Sequence, residues 1–223
     1  MRSKGKVFHS SAAFMLLTCL LVSSAFATIQ VKEMAFSFEN LKYYSNKTLG
    51  FSQSAFVNAD VAVASGSYDY TITNAVVTLS NMPLTAGYGT NSGTFSSPAT
   101  LTVTGNLIKN ATSADLTGNV TLFTAQMDSA TMVISQIVSK YASGDAMFSP
   151  VSGALFTGVT DGADVIVLQP FSMGMSVLGT TVLFADNTMT ALEAVMQISV
   201  PEPLTITLLA AGMLAVSRKR KSN

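Results

Sequence analysis

Residues 28–199 predict a mainly β fold, a β-sandwich of jelly-roll type, and three observations carry that expectation. Apolar and polar residues alternate with period two in several short runs. Turn-forming residues separate those runs, and β-branched residues are far commoner than charged ones. A helix is expected on either side of this domain, in a signal peptide before it and in a short transmembrane segment after it.

The first alternating run sets Tyr68, Tyr70 and Ile72 against Asp69, Thr71 and Thr73. The next places Leu101 and Val103 opposite Thr100, Thr102 and Thr104, and Val120 with Leu122 follows the Gly118-Asn119 turn. One polar face per strand is the signature of antiparallel sheets solvated on one side. Val165, Ile166, Val167 and Leu168 are apolar without interruption, which predicts a strand buried on both faces. Last in the domain, Ala194, Met196, Ile198 and Val200 alternate with Gln197 and Ser199. Residues 129–140 and 187–196 fit helices as well as strands.

Turns are expected at 64–67, Asn81-Met82-Pro83, 87–93, Ser143-Gly144-Asp145 and Asp161-Gly162, where Gly, Pro, Asn, Asp and Ser cluster. A β-solenoid is the architectural alternative. Its only candidate repeat begins at Leu122-Phe123, Leu155-Phe156 and Leu183-Phe184, and the spacings of 33 and 28 residues are unequal. The sandwich is therefore preferred.

The two ends differ from the middle. Arg2, Lys4 and Lys6 precede an apolar stretch at 12–22, and Ala25-Phe26-Ala27 supplies a small-x-small cleavage site. Residues 1–27 thus predict a secretory signal peptide, with Ala25, Ala27 and Thr28 marking cleavage by signal peptidase. A lipoprotein attachment at Cys19 fits less well, because Thr18 stands where a small residue is wanted.

At the other end, Val200-Pro201-Glu202-Pro203 should be stiff and extended, since each proline restricts itself and the residue before it. Residues 204–216 then form an uncharged, mostly apolar span, followed by Arg218, Lys219, Arg220 and Lys221. Thirteen helical residues reach about 20 Å against about 30 Å of bilayer hydrocarbon, a poor permanent anchor. The basic cluster would stay in the cytoplasm and leave the domain outside it.

In order and position these parts resemble the PEP-CTERM sorting signal: a Pro-Glu-Pro core, a short apolar span and a terminal Arg/Lys cluster. The resemblance covers residues 200–223 only. It implies recognition by a membrane-embedded exosortase, cleavage near Pro201 to Pro203, transient anchoring in the inner membrane, and delivery to the cell surface or an exopolysaccharide matrix of a Gram-negative-type bacterium.

Composition excludes more than motifs include. The one Cys and the one His, Cys19 and His9, both lie within the signal peptide. Without them the domain has no Ser-His or Cys-His nucleophile pair, no ordinary zinc site and no disulfide. Residues 28–200 hold five lysines, no arginine and eleven acidic residues, a net charge of −6. That balance argues against nucleic-acid and phosphate binding. No cofactor is expected.

Two groups of side chains stand out as candidate sites. Asp161-Gly162-Ala163-Asp164 sets two carboxylates around a glycine turn, so Asp161 and Asp164 are the residues an oxygen-lined calcium site would use, although a solvated turn is the simpler reading. Tyr43, Tyr44, Tyr68, Tyr70, Tyr88 and Tyr141 are the tyrosines available for stacking on sugars, and Tyr88 stands out because it lies in the Gly-rich stretch at 87–93. The leading expectation is a non-enzymatic surface or matrix protein with a structural or adhesive β-domain. The alternatives are a carbohydrate-binding module using tyrosine and calcium, and a glycoside hydrolase using paired carboxylates.

Overall fold

The computed structural model describes residues 27–39, 48–55, 59–64, 67–138, 141–179, Phe184 and 191–201. The expected signal-peptide and transmembrane helices lie outside these residues.

The domain is mainly β and largely antiparallel. Its strands in chain order are β1 (Ala27–Gln30), β2 (Glu33–Glu39), β3 (Thr48–Ser54), β4 (Ala59–Ala64), β5 (Ser67–Ala86), β6 (Ser92–Ser96), β7 (Thr100–Lys109), β8 (Ala114–Asp115), β9 (Val120–Met127), β10 (Thr131–Val138) and β11 (Tyr141–Ser152). One helical turn, α1 (Ala154–Thr157), precedes β12 (Val159–Asp161), β13 (Asp164–Val167), β14 (Phe171–Gly179) and β15 (Ala191–Ser199). Glycines of positive φ, Gly153 and Gly158, stop α1 on both sides.

Pairing follows a path that returns to its start. From β5 it runs through β4, β2, β15, β14, β11, β9 and β7, and β7 pairs with β5 again. Strands β6 and β10 make a second bridge between β5 and β11. Closure of this kind pairs backbone groups that an open sheet would leave on its edges. The body is barrel-like, and two long strands, β5 and β11, each pair with three or more others. Strand β5 runs for 20 residues and serves β4, β7, β3 and β6 in different sections. A register shift between Thr73 and Val76, with Asn74 at φ 53, bends it on the way. A separate small sheet holds β12 antiparallel and β1 parallel to β13.

Several expectations change at this point. Residues 131–138 are strand β10, and Ala191–Ser199 is strand β15, so the helical option fails wherever these segments are described. Each is paired on both sides, and ladder hydrogen bonds there outweigh a weak local preference. No turn forms at Asn81-Met82-Pro83. Pro83 has no N–H to give, and it lies on β5 between the sections paired with β7, which ends at Leu79, and β6, which starts at Leu84. Nor does Ser143-Gly144-Asp145 turn. It lies within β11, where a Cβ on Gly144 would come within 2.3 Å of the Val133 carbonyl oxygen on β10.

On strand β13 Ile166 is buried, whereas Val165 and Val167 on the other face are only half-buried. The Leu-Phe pairs occupy unlike settings: Leu122 and Phe123 lie in β9, whereas Leu155 and Phe156 lie in α1. A solenoid is not the architecture.

Burial holds the body together without a disulfide. Phe171 stacks on Phe148 at 5.9 Å and meets Phe123 edge-on at 5.8 Å, while Phe95 meets Phe184 at 5.4 Å. Met34, Met82, Met132, Met173, Met175 and Met196 are all buried, the gap-filling use expected of a flexible thioether. Among the described residues the buried core contains no polar or charged residue.

Candidate functional site

The two strongest polar features of the surface are an ion-pair clasp and an uncharged hydroxyl face. The clasp begins with Tyr70 on β5, a buried residue whose alternation along the strand turns it inward. Tyr70 donates from its hydroxyl to Asp161 Oδ2 at 2.8 Å, and Lys109 donates from Nζ to the same oxygen at 2.7 Å. The Asp161 side chain is 13% exposed. Hydrogen bonds from Lys109 and then from Tyr70 hold its carboxyl below the usual range, against the opposing effect of burial. Burial, followed by the hydrogen bond to Asp161, pushes the Tyr70 phenol well above its ordinary value. Three elements, β5, β7 and β12, meet here, so the small sheet is fastened to the barrel.

Asp164 is the register partner of Asp161 across a tight turn at Gly162, whose φ is +64. The two candidate metal ligands are thus adjacent, but one oxygen of Asp161 already serves two donors. Among the described residues no group of three or more His, Cys, Asp and Glu is arranged to hold a metal.

The tyrosines do not form one platform. Tyr70 is buried in the clasp, Tyr141 on β11 donates to Ser176 Oγ at 3.0 Å, and Tyr68 is exposed at the start of β5. Tyr88 is 47% exposed in a turn that is tied to Phe184 by the Gly89 N–H. Tyr43 and Tyr44 lie outside the described residues.

The ends of the body are neighbours. Ala27 and Thr28 open β1, the Val31 N–H donates to the Val167 carbonyl, and the Val200 N–H donates to the Lys32 carbonyl at 2.8 Å. Pro201 is exposed immediately beyond. Ala25, Glu202, Pro203, Arg218, Lys219, Arg220 and Lys221 lie outside the described residues. Among those described, no helix is long and apolar enough to cross a membrane, which says nothing of strands.

The second feature was only half visible in the alternating pattern. Register aligns Ser52 with Thr78, Thr78 with Thr102, Thr102 with Thr124, and Thr124 with Ser152, one rung across β3, β5, β7, β9 and β11. Within it, Ser52 Oγ lies 2.9 Å from Thr78 Oγ1, and Thr102 Oγ1 lies 3.4 Å from Thr124 Oγ1. A neighbouring rung aligns Thr100, Gln126 and Ser149, and Ser80 Oγ accepts from the Thr100 N–H. Thr104 pairs with Thr121 on the other side. The opposite face of these strands carries buried Val77, Leu79, Leu101, Val103, Phe123 and Ala125. Alternation had shown Thr100, Thr102 and Thr104 on one face. The lateral alignment depends on partners more than twenty residues away in sequence and has no local signal.

No family model, curated protein or solved structure matches this chain. What the geometry defines is a mainly antiparallel β body, closed on itself, with a clasp at one end and a wide hydroxyl face.

Proposed function

We propose that this chain is an exported bacterial protein of the cell surface or extracellular matrix, sorted and processed through a C-terminal tail of PEP-CTERM type. Its body, a sandwich of jelly-roll type, is structural or adhesive and not enzymatic. Signal peptidase releases the N-terminal segment, and an exosortase processes the tail while residues 204–216 hold it briefly in the membrane.

The observation that carries this reading is the order Pro201-Glu202-Pro203, uncharged span, Arg218 to Lys221 at one end, with a basic, apolar, small-x-small leader at the other. Two features of the body support it. The last strand ends at Ser199 and Pro201 is exposed, so the Pro-Glu-Pro segment begins directly where the β body stops. The clasp is a closed structural contact, with one carboxylate oxygen of Asp161 held by both Lys109 and Tyr70. The test is Pro201→Ala with Pro203→Ala in a strain that carries an exosortase. A larger species retained in the membrane fraction is expected, whereas unchanged size and location would refute sorting through the tail.

A further inference from the structure

We infer that the hydroxyl face of β3, β5, β7 and β9 binds an extended, uncharged polysaccharide, and this deepens the adhesive reading above, on which it rests. Neighbouring strands are about 4.8 Å apart and alternate residues along a strand about 7 Å apart, so the aligned Ser52, Thr78, Thr102 and Thr124 with their flanking rungs form a two-dimensional grid of hydroxyls. Each hydroxyl both donates and accepts, as the hydroxyls of a sugar do, and each threonine adds a methyl for C–H contact.

Charge selects the class of partner. Across the four strands the only residues charged at neutral pH are Asp69 and Lys109, at one end, with Asp128 just beyond β9 at the other, although residues 28–200 carry a net charge of −6. A polyanion gains nothing on such a face, and a polycation would be drawn to the acidic remainder of the body instead.

Individual hydroxyl contacts are weak, so the grid favours a polymer that engages several rungs at once over a single sugar.

The test uses the full chain, purified in detergent, and two insoluble neutral polymers, cellulose and a β-1,3-glucan, with alginate gel as the charged comparison. Retention on a neutral polymer, equal at low and high salt and not displaced by glucose, is expected. The triple variant Thr78→Val, Thr102→Val, Thr124→Val keeps β-branching and removes only hydroxyls, and it should reduce retention about tenfold or more. Ser172→Ala with Ser199→Ala, aligned with each other on β14 and β15, should leave retention unchanged. No retention on either neutral polymer, binding that falls with salt, or a folded triple variant that binds like the parent would each overturn the inference. If the triple variant unfolds, Thr78→Val and Thr102→Val singly must each weaken retention, and parental binding by both overturns it equally. Failure here leaves export and tail processing standing, because those are read from location and size in cells.

Discussion

Tyr70 and Asp161, ninety-one positions apart in the chain, share a hydrogen bond of 2.8 Å that fastens the small three-stranded sheet to the barrel. Lys109 completes the arrangement from a third strand. Removing the acceptor leaves a buried phenol and a lysine facing each other without their common partner. Asp161→Ala should therefore destabilise the domain by about 1–3 kcal/mol, and Tyr70→Phe by about 1 kcal/mol, as measured by urea unfolding. Equal stability of Asp161→Ala and the parent would show that the small sheet holds without the clasp.

The same contact sets a pH dependence with two limbs. Asp161 is held below its ordinary value of 3.8, so its contribution is complete above that pH and is lost as the pH falls through the folded value. Tyr70 is held above its ordinary value of 10.0, so its contribution is complete below that pH and drains away as the pH rises beyond it. The difference in stability between the parent and Asp161→Asn should shrink on acidification below about pH 4. A difference that stays constant down to strongly acid pH would mean that Asp161 titrates as an ordinary exposed carboxylate.

Two glycines of positive φ should respond differently to alanine. At Gly118 a Cβ meets nothing within 4 Å, so Gly118→Ala should cost about 1–2 kcal/mol from the left-handed backbone alone. At Gly153 a Cβ would lie 2.5 Å from the Phe123 Cα, which is backbone and has nowhere to move, so Gly153→Ala should cost more than about 3 kcal/mol. Matching losses at the two sites in denaturant titrations would contradict the close approach of α1 to β9.

Phe171 is packed between Phe148 and Phe123, so Phe171→Ala should cost about 3–5 kcal/mol. Val195, exposed on the outer face of β15, should tolerate alanine within about 0.5 kcal/mol. Thermal midpoints followed by circular dichroism distinguish the two readily.

Calcium provides a further check. With Asp161 Oδ2 engaged by Lys109 and Tyr70, neither added calcium nor a chelator should shift the thermal midpoint. A clear upward shift with calcium would mean that the ion displaces Lys109 and that the turn at 161–164 is a metal site after all.

Strand character was legible wherever burial alternated cleanly. Leu101 and Val103 are buried and Thr102 and Thr104 point away, as their spacing requires. The reading slipped where a bulge breaks the period: Leu122 and Phe123 are both buried, beside a register shift between Val103 and Thr104, and Val120 is left exposed. It slipped again at Pro83 and Gly144, where residues that usually mark turns answer instead to a change of partner and a close backbone approach. The candidate ligands Asp161 and Asp164 were adjacent as expected, but nothing near them in the chain announces Lys109 or Tyr70.

The chain by itself determined the mainly β character of the body and the lack of His and Cys in residues 28–200, because those depend on composition and on spacing within a few residues. Tertiary structure decided the closure of the sheet, the clasp and the alignment of threonines into rungs. Those depend on register between strands far apart in sequence, and register is a property of the assembled hydrogen-bond ladder that no single segment carries.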